Sequence, residues 1–259
     1  MPVLYTLQDH VARVTIDRAD RMNAVDDATA DELEAIWQRI EVDRDVRVVV
    51  LTGSGEKAFC AGADMKAGGN TLSGLEYWAH ARAGGFGGLA LRKSLHVPVI
   101  ARVNGLAVGG GFELVLGCDI VIAAEHASFG LPEARVGRMP VDGGMILLPR
   151  MIPQKVAMGM LLTGRRISAA EAMQYGLVNE VVPPEQLDEA VNRWLAEILE
   201  CAPLSVKAIK ECVKETSDLS IDEAQAKRLP SLIAALQSED ADEGPRAFRE
   251  KRKPDWKGR

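Results

Sequence analysis

The sequence predicts an α/β fold followed by a helical extension. Short β-rich runs alternate with helical segments until about Ile122, and helical signals dominate after that point. The chain has 259 residues, of which 47% are hydrophobic, so it is long enough to bury a sizeable core. We expect one α/β domain with, at most, a small appendage.

The β-rich half alternates strand and helix signals in order. Residues 3–7 and 11–17 alternate like a strand pair, and β-branched runs at residues 46–52, 97–103 and 119–124 predict buried strands. The segment 72–92 is weakly patterned and interrupted by glycines, which is typical of lids and pocket walls. The first helix carries an apolar stripe that consists of Ala30, Leu33, Ile36, Trp37 and Ile40.

The second half carries helix-start and helix-stop signals. Ser168 with Glu171, and Ser220 with Glu223, fit the capping box, in which serine and glutamate satisfy free amides reciprocally. Gly176 supplies a C-terminal stop. These signals predict helices at residues 185–200, 204–216, 221–237 and 240–251.

Composition and charge exclude several classes of protein. The net charge of -6 disfavours a general attraction to nucleic acid or anionic membranes. The amino terminus lacks the basic start and apolar block of a secretion signal, and no apolar run approaches the roughly 20 residues of a membrane span. The four cysteines form no CxxC pair, and the four histidines show no metal-ligand spacing. We predict a soluble cytoplasmic protein without a metal site, acting on a small molecule.

Three consecutive glycines and a glutamate interrupt the apolar stretch AVGGGFELVLGCD, residues 107–119. A strand, then glycines, then a helix exposes free backbone N–H groups where the helix dipole also favours negative charge. If the helix begins near Gly110, Glu113 projects from the same face as that amide. A dinucleotide-binding turn fits badly, because its third glycine would fall at Leu114. Close helix packing with Glu113 at an exposed edge is the structural alternative.

Two further turns use the same kind of residues. In AFCAGADMK, which follows a predicted strand, Ala61, Gly62 and Ala63 are small enough for a ligand to reach the backbone, and Asp64 could cap a short helix. In LPEARVG, Pro132 fixes the approach to Glu133. An ordinary surface acid is the alternative interpretation of Glu133.

These stretches, in this order, resemble the enoyl-CoA hydratase/isomerase family, known as the crotonase family. The resemblance covers essentially the whole chain. It implies a crotonase-like spiral of ββα units, with a core over residues 1–195 and a helical region over residues 196–259 for oligomerisation and for covering the active site. The segments that carry it are IDRADRMNAV, KAFCAGADMK, VNGLAVGGGFELVLGCDIVIA, SFGLPEARVG, TGRRISAAEAMQYGLVNEVV and SEDADEGPRAFREKRKPDWKGR.

The resemblance also implies a chemistry. In the family, amides matching Ala63 and Gly110 form an oxyanion hole for an acyl-CoA thioester, and hydratases carry glutamates at positions matching Glu113 and Glu133. Both are present here, which favours a hydro-lyase, since isomerases commonly keep only the second. Because like charges in a poorly solvated site resist double ionisation, we predict a raised pKa for one of them. The resemblance implies no cofactor beyond the coenzyme A of the substrate, and a homotrimer or a dimer of trimers.

The resemblance points to a set of substrate contacts around the first two turns. A solvated lysine is the alternative for Lys66, which would lie near the phosphates. A basic C-terminal tail, Lys251, Arg252, Lys253 and Lys257, could reach a neighbouring subunit's nucleotide or simply be solvated. The proposed substrate contacts are Met22, Ala24, Ala61, Asp64, Met65, Lys66 and Pro132.

Departures from the family pattern leave the acyl group open. Val141 and Asp142 replace small residues near the reacting end, and Ala19 and Ala67 replace a usual proline and an acidic residue. The ending and the PxxGG segment are similar to carnitinyl-CoA dehydratases, whose substrate carries a quaternary ammonium group. Such a cation calls for aromatic faces or carboxylates. The candidates are Tyr77, Trp78, Phe86 and Asp142.

Other functions rank lower. An enoyl-CoA isomerase is one alternative, and a non-catalytic or RNA-binding crotonase-fold protein is another; retention of both glutamates and the acidic charge argue against the latter. A nicotinamide-dependent oxidoreductase is disfavoured by the glycine spacing. A GxSxG hydrolase motif is missing from the sequence.

Overall fold

The computed structural model describes residues 1–66, 74–80 and 82–259, and it contains two β-sheets. The larger sheet has the strand order β1-β2-β3-β5-β7-β10, and the smaller sheet has the order β4-β6-β8-β9. The strands are β1 Val3–Gln8, β2 Val11–Ile16, β3 Val48–Gly53, β4 Ala58–Cys60, β5 Val99–Val103, β6 Leu106–Val108, β7 Ile120–Ala124, β8 Ser128–Gly130, β9 Arg166–Ser168 and β10 Glu180–Val182.

From β3 to β8, consecutive strands alternate between the two sheets. β3, β5 and β7 are parallel neighbours in the larger sheet, while β4, β6 and β8 are parallel neighbours in the smaller one. Each pair therefore adds one strand to each sheet before the chain moves one position along both. This arrangement confirms the predicted crotonase-like spiral of ββα units.

The helices lie around and beyond the two sheets. They are α1 Asp27–Val42, α2 Gly74–Ala79, α3 Gly110–Gly117, α4 Gly144–Met151, α5 Gln154–Thr163, α6 Ala169–Gln174, α7 Leu187–Leu199, α8 Pro203–Thr216, α9 Ile221–Ala226, α10 Pro230–Leu236 and α11 Glu239–Glu250. Within the described ranges, none of these helices is long and apolar enough to cross a membrane.

Both faces of the larger sheet are covered, which explains the unbroken β-branched runs. The main core packs Leu33, Trp37 and Ile40 of α1 with residues of both sheets. A second cluster packs α7 against the opposite face, where Val48 and Val50 of β3 are buried. Parallel sheets with two covered faces select continuous apolar strands rather than alternating ones.

A buried ion pair connects helix α8 to this sheet. Lys210 of α8 is 9% exposed, and its ammonium donates to Asp119 Oδ2 at 2.6 Å and to the carbonyl of Val97 at 2.7 Å. Both acceptors flank strands β5 and β7. The helical region is thus fixed to the core by a polar contact that the strand patterns alone do not predict.

The local predictions hold with one error. Each predicted strand overlaps an observed strand to within two residues at either end, and both capping boxes form. The prediction of one helix over residues 221–237 is wrong, since α9 ends at Ala226 and α10 begins at Pro230. Proline lacks an amide hydrogen and disfavours helical backbone in the preceding residue, so the helix restarts there. Part of the weakly patterned segment 72–92, at residues 72, 73 and 81, lies outside the described residues.

Candidate active site

The glycine turn between β6 and α3 presents a free amide. Gly109 has φ +57° and ψ −134°, a conformation that a side chain would strain, and its N–H donates to the Gly130 carbonyl at 2.9 Å. The helix begins at Gly110, as predicted, so the Gly110 N–H belongs to its first turn. A Cβ on Gly111 would lie 2.0 Å from the Cys60 carbonyl oxygen, so close packing also requires glycine here.

The second turn lies directly against the first. Gly62 has φ +84°, and a Cβ placed on it would lie 3.0 Å from the Val108 carbonyl oxygen and 3.2 Å from the Gly110 nitrogen. The Gly62 carbonyl accepts from Val25 N–H and the Val25 carbonyl accepts from Asp64 N–H, each at 2.9 Å. These bonds hold the backbone on both sides of Ala63.

Two amides at this junction have no acceptor. Within the part of the chain that the structure describes, neither the Ala63 N–H nor the Gly110 N–H donates a hydrogen bond. Gly110 is buried, where an unpaired backbone N–H is uncommon, whereas Ala63 is exposed and its N–H is open to an incoming acceptor. The pair is therefore suited to receive an oxygen atom that carries negative charge.

The Asp64 carboxylate stabilises the second turn. Its carboxylate accepts from Arg18 Nη2 at 2.9 Å and from the Lys66 backbone N–H at 3.1 Å, and Arg18 also pairs with Asp26 at 2.8 Å. The short helix that Asp64 was expected to cap, and the departure at Ala67, lie in a segment outside the described residues.

Glu113 is a buried acid beside the glycine turn. It lies on α3, is only 3% exposed, and its Oε1 accepts from the Gly144 backbone N–H at 2.8 Å. Burial raises the pKa of Glu113 to about 8, and the negative charges of Asp142 and Glu133 act in the same direction, while the Gly144 amide opposes them. The carboxyl group is thus mainly protonated at neutral pH. This contradicts the alternative of an exposed edge residue.

Glu133 lies on the other side of the same turn. It begins a 3₁₀ turn, Glu133–Val136, directly after Pro132. A Cβ on Gly109 would lie 3.1 Å from Glu133 Oε1, and the buried Oε2 has no hydrogen-bond partner among the described residues. Burial raises the pKa of Glu133 as well. The prediction that one glutamate has a raised pKa is confirmed, and the shift is larger for Glu113.

A third acid in this region is paired in a way that sequence reasoning missed. The Tyr77 hydroxyl on α2 donates to Asp142 Oδ2 at 2.5 Å, and Asp142 is 6% exposed. Both residues were candidates to contact a cationic acyl group, but their mutual hydrogen bond joins positions 65 residues apart. Of the other two aromatic candidates, Trp78 is 62% exposed, whereas the Phe86 ring packs against Gly110.

The predicted coenzyme A contacts include both buried and exposed residues. Met22 has φ +55°, and its carbonyl accepts from the Ala61 N–H at 3.0 Å, so this strand-to-helix loop lies next to the second turn. Ala24 is buried, whereas Met65 and Lys66 are exposed. Their roles stay predictions.

The basic tail is engaged within its own chain. Arg252 pairs with Glu243 at 2.5 Å, Lys253 pairs with Glu200 at 3.3 Å, and the Lys257 ammonium pairs with a neighbouring aspartate. For these three side chains to bind a second subunit's nucleotide, their ion pairs within the chain would have to break.

No cluster of three or more potential metal ligands is formed within residues 1–66, 74–80 and 82–259. The polar groups at the two turns are amides and carboxyls. They are suited to bind an anionic oxygen and to move protons.

Comparison with known proteins gives one consistent family. A family model described as enoyl-CoA hydratase/isomerase matches residues 6–259. A carnitinyl-CoA dehydratase from Proteus mirabilis (strain HI4320) is 42% identical over 258 residues, covering 98% of this chain and 97% of its own length. A carnitinyl-CoA dehydratase from Salmonella arizonae is 42% identical over 252 residues, covering 96% and 95%.

Solved structures give the same result. The crystal structure of an enoyl-CoA hydratase from Bacillus anthracis matches with a TM-score of 0.92 and 37% identity, covering all of both chains. An enoyl-CoA hydratase from Mycobacterium tuberculosis H37Rv matches with a TM-score of 0.88 and 33% identity, covering 100% of this chain and 99% of that one.

Proposed function

Since the chain belongs to the enoyl-CoA hydratase/isomerase family, we propose that it adds water to, or removes water from, the 2,3 double bond of an acyl-CoA thioester. The observation that carries this proposal is the placement of two glutamates, the buried Glu113 and the half-buried Glu133, around one glycine turn whose amide is free. Isomerisation needs only one of them, and a binding protein needs neither.

The two free amides would hold the thioester oxygen. Hydration and dehydration both pass through a state in which negative charge develops on that oxygen. The two amides belong to turns that lie against each other, since a Cβ on Gly62 would lie 3.2 Å from the Gly110 nitrogen. Removing one such donor typically costs about 3 kcal/mol of transition-state stabilisation. Neither amide has to break a hydrogen bond to receive the oxygen.

The two glutamates would divide the proton transfers. In dehydration, the Glu133 carboxylate takes the proton from Cα, the freed electron pair forms the Cα–Cβ double bond, and the Cβ–O bond breaks. Protonated Glu113 gives its proton to the departing hydroxyl, which leaves as water. Hydration reverses each transfer, so the pair works with one proton in both directions. Because Glu113 has the higher pKa, it would hold this proton in the resting protein, which is the protonation state that dehydration requires.

A carnitinyl-CoA dehydratase is the second candidate within this chemistry. Relatives of that name are 42% identical to this chain. The Asp142 and Glu133 carboxylates also give the site a negative character. Such surroundings favour an acyl group with a positive charge at the far side of the double bond.

The remaining contacts are proposed from the family. Coenzyme A would bind along Met22, Ala24, Ala61 and the backbone of 64–66, with Pro132 near the acyl group. No dissociable cofactor would be needed, and the protein would act as a homotrimer or a dimer of trimers in the cytoplasm. The division into residues 1–195 and 196–259 also stays a prediction.

The decisive experiment uses the dialysed protein without added metal or cofactor. We expect it to hydrate a 2-enoyl-CoA, and Glu113→Gln and Glu133→Gln should each lower kcat by a factor of roughly 100 or more. Glu197→Gln is the matched control, since Glu197 is exposed on α7. Near-normal turnover in either active-site variant would refute the two-glutamate mechanism. Parallel assays with crotonyl-CoA and crotonobetainyl-CoA would identify the acyl group.

A further inference from the structure

Asp142 and Tyr77 are joined to the glutamate pair by a short path through the backbone. Asp142 lies two residues before Gly144, whose N–H binds Glu113 Oε1 at 2.8 Å. The Asp142 carboxylate accepts a hydrogen bond from the Tyr77 hydroxyl at 2.5 Å. The Asp142 backbone oxygen would lie 3.2 Å from a Cβ placed on Gly85. Any movement of Asp142 would therefore change the position of the amide that holds Glu113.

We propose that Tyr77 and Asp142 form a positioning pair for Glu113. Their hydrogen bond fixes the turn that leads into α4, so that the first amide of α4 stays directed at the Glu113 carboxyl. The Asp142 carboxylate also places a negative charge beside that carboxyl and thereby favours its protonated form. The inference rests on the proposed function, because it concerns how Glu113 keeps the proton that dehydration consumes.

The burial of Asp142 argues for such a role. Burial raises the pKa of Asp142, while the hydrogen bond from Tyr77 opposes that shift and favours the ionised form. An acid kept in an apolar setting by a single neutral donor stabilises the fold poorly compared with an apolar residue of similar size. Its charge acts instead on Glu113.

The charges around Glu113 determine the direction in which Asp142 shifts the pKa of Glu113. Asp142 and Glu133 both raise the pKa of Glu113, and the Tyr77 hydroxyl lies within the electrostatic range of Glu113. The cation that acts on Tyr77 is Arg82, which pairs with two aspartates of α1 at 2.6 and 3.0 Å. Removing the Asp142 charge should therefore lower the pKa of Glu113.

Two conservative variants test the pair. Asp142→Asn keeps the size of the side chain but removes its charge, and Tyr77→Phe removes only the hydroxyl that Asp142 accepts. Tyr5→Phe is the control for the second, because the Tyr5 hydroxyl has no partner within the described ranges. Asp218→Asn is the control for the first, because Asp218 is exposed. Circular dichroism would verify that each variant is folded.

The pH profile of kcat/KM separates positioning from simple structural support. We expect Asp142→Asn to move the alkaline limb of the profile to lower pH and to reduce kcat about tenfold or more, with little change in KM. Tyr77→Phe should lower kcat in the same way, and both controls should leave kcat and the profile unchanged. An alkaline limb that does not move in Asp142→Asn would overturn the proposal. So would an effect confined to KM, which would indicate a substrate contact.

A measurement without substrate keeps this proposal separate from the proposed function. In protein with ¹³C-labelled glutamate carboxyl groups, the signal that disappears in Glu113→Gln can be titrated in wild type and in Asp142→Asn. We expect the Glu113 midpoint to fall in Asp142→Asn. If wild type lacks turnover, the proposed function fails, but this titration still decides the role of Asp142. An unchanged midpoint would contradict the pair even in an active enzyme.

Discussion

Replacing Glu113 by glutamine should make the protein more stable while it removes activity. Glutamine has nearly the shape of a protonated glutamate, so the hydrogen bond from the Gly144 amide at 2.8 Å can be kept. The substitution removes the ability of this buried group to ionise. The gain in stability should therefore depend on pH in a way that follows from the pKa of Glu113.

The sign and size of this effect follow from linkage. Folding raises the pKa of Glu113 from 4.5 to about 8, so the folded protein keeps its proton at pH values where the unfolded chain has lost it. The wild-type free energy of unfolding thus falls as pH rises from about 4.5 to about 8. At about 1.4 kcal/mol for each tenfold change in proton affinity, Glu113→Gln should be more stable by about 3 kcal/mol at pH 7. The difference should reach about 5 kcal/mol above about pH 9.

Urea unfolding of wild type and Glu113→Gln at about pH 4, 7 and 9 measures this difference. The surface variant Glu197→Gln serves as the control and should show no such trend, because its side chain is exposed. A difference between wild type and Glu113→Gln that stays constant over this range would refute the reasoning. It would mean that Glu113 ionises as freely in the folded protein as in the unfolded chain.

Three further predictions concern the turns, the titration and the helical region. Gly62→Ala should lower kcat on the order of 100-fold by displacing the Gly110 amide, whereas Gly176→Ala, at a similar φ of +82° but with open space around it, should not; equal losses would contradict the turn geometry. The kcat/KM for dehydration should fall above about pH 8 as free Glu113 loses its proton, and a profile that is flat to pH 10 would exclude it as the acid. Lys210→Met should lower the free energy of unfolding by about 3 kcal/mol in urea titrations by leaving Asp119 uncompensated, and a loss near zero would show that the ion pair does not fasten α8.

The sequence could predict features that depend on local patterns. The run at residues 46–52 predicts a buried strand because four consecutive apolar residues, Val48 to Leu51, leave no polar face. Glu113 was identifiable because a carboxylate in an apolar helix start is rare. The single helix predicted over residues 221–237 is wrong because Pro230 interrupts the helical pattern and begins a new helix.

Long-range pairings could not be predicted in the same way. The hydrogen bond between Tyr77 and Asp142 joins a weakly patterned segment to a loop 65 residues later, and neither local pattern encodes the other. The same holds for Lys210 and Asp119, which are 91 residues apart. The packing of helices α2 and α8 against distant parts of the chain brings these groups together, so their pairing follows only from the complete fold.

The most direct test of the account is a structure of the Glu113→Gln variant with a bound acyl-CoA. We expect the thioester oxygen to lie about 3 Å from both the Ala63 and the Gly110 nitrogen atoms, with Cα and Cβ next to the two acidic positions. A thioester oxygen that contacts neither amide, or an acyl chain bound away from Glu133, would contradict it.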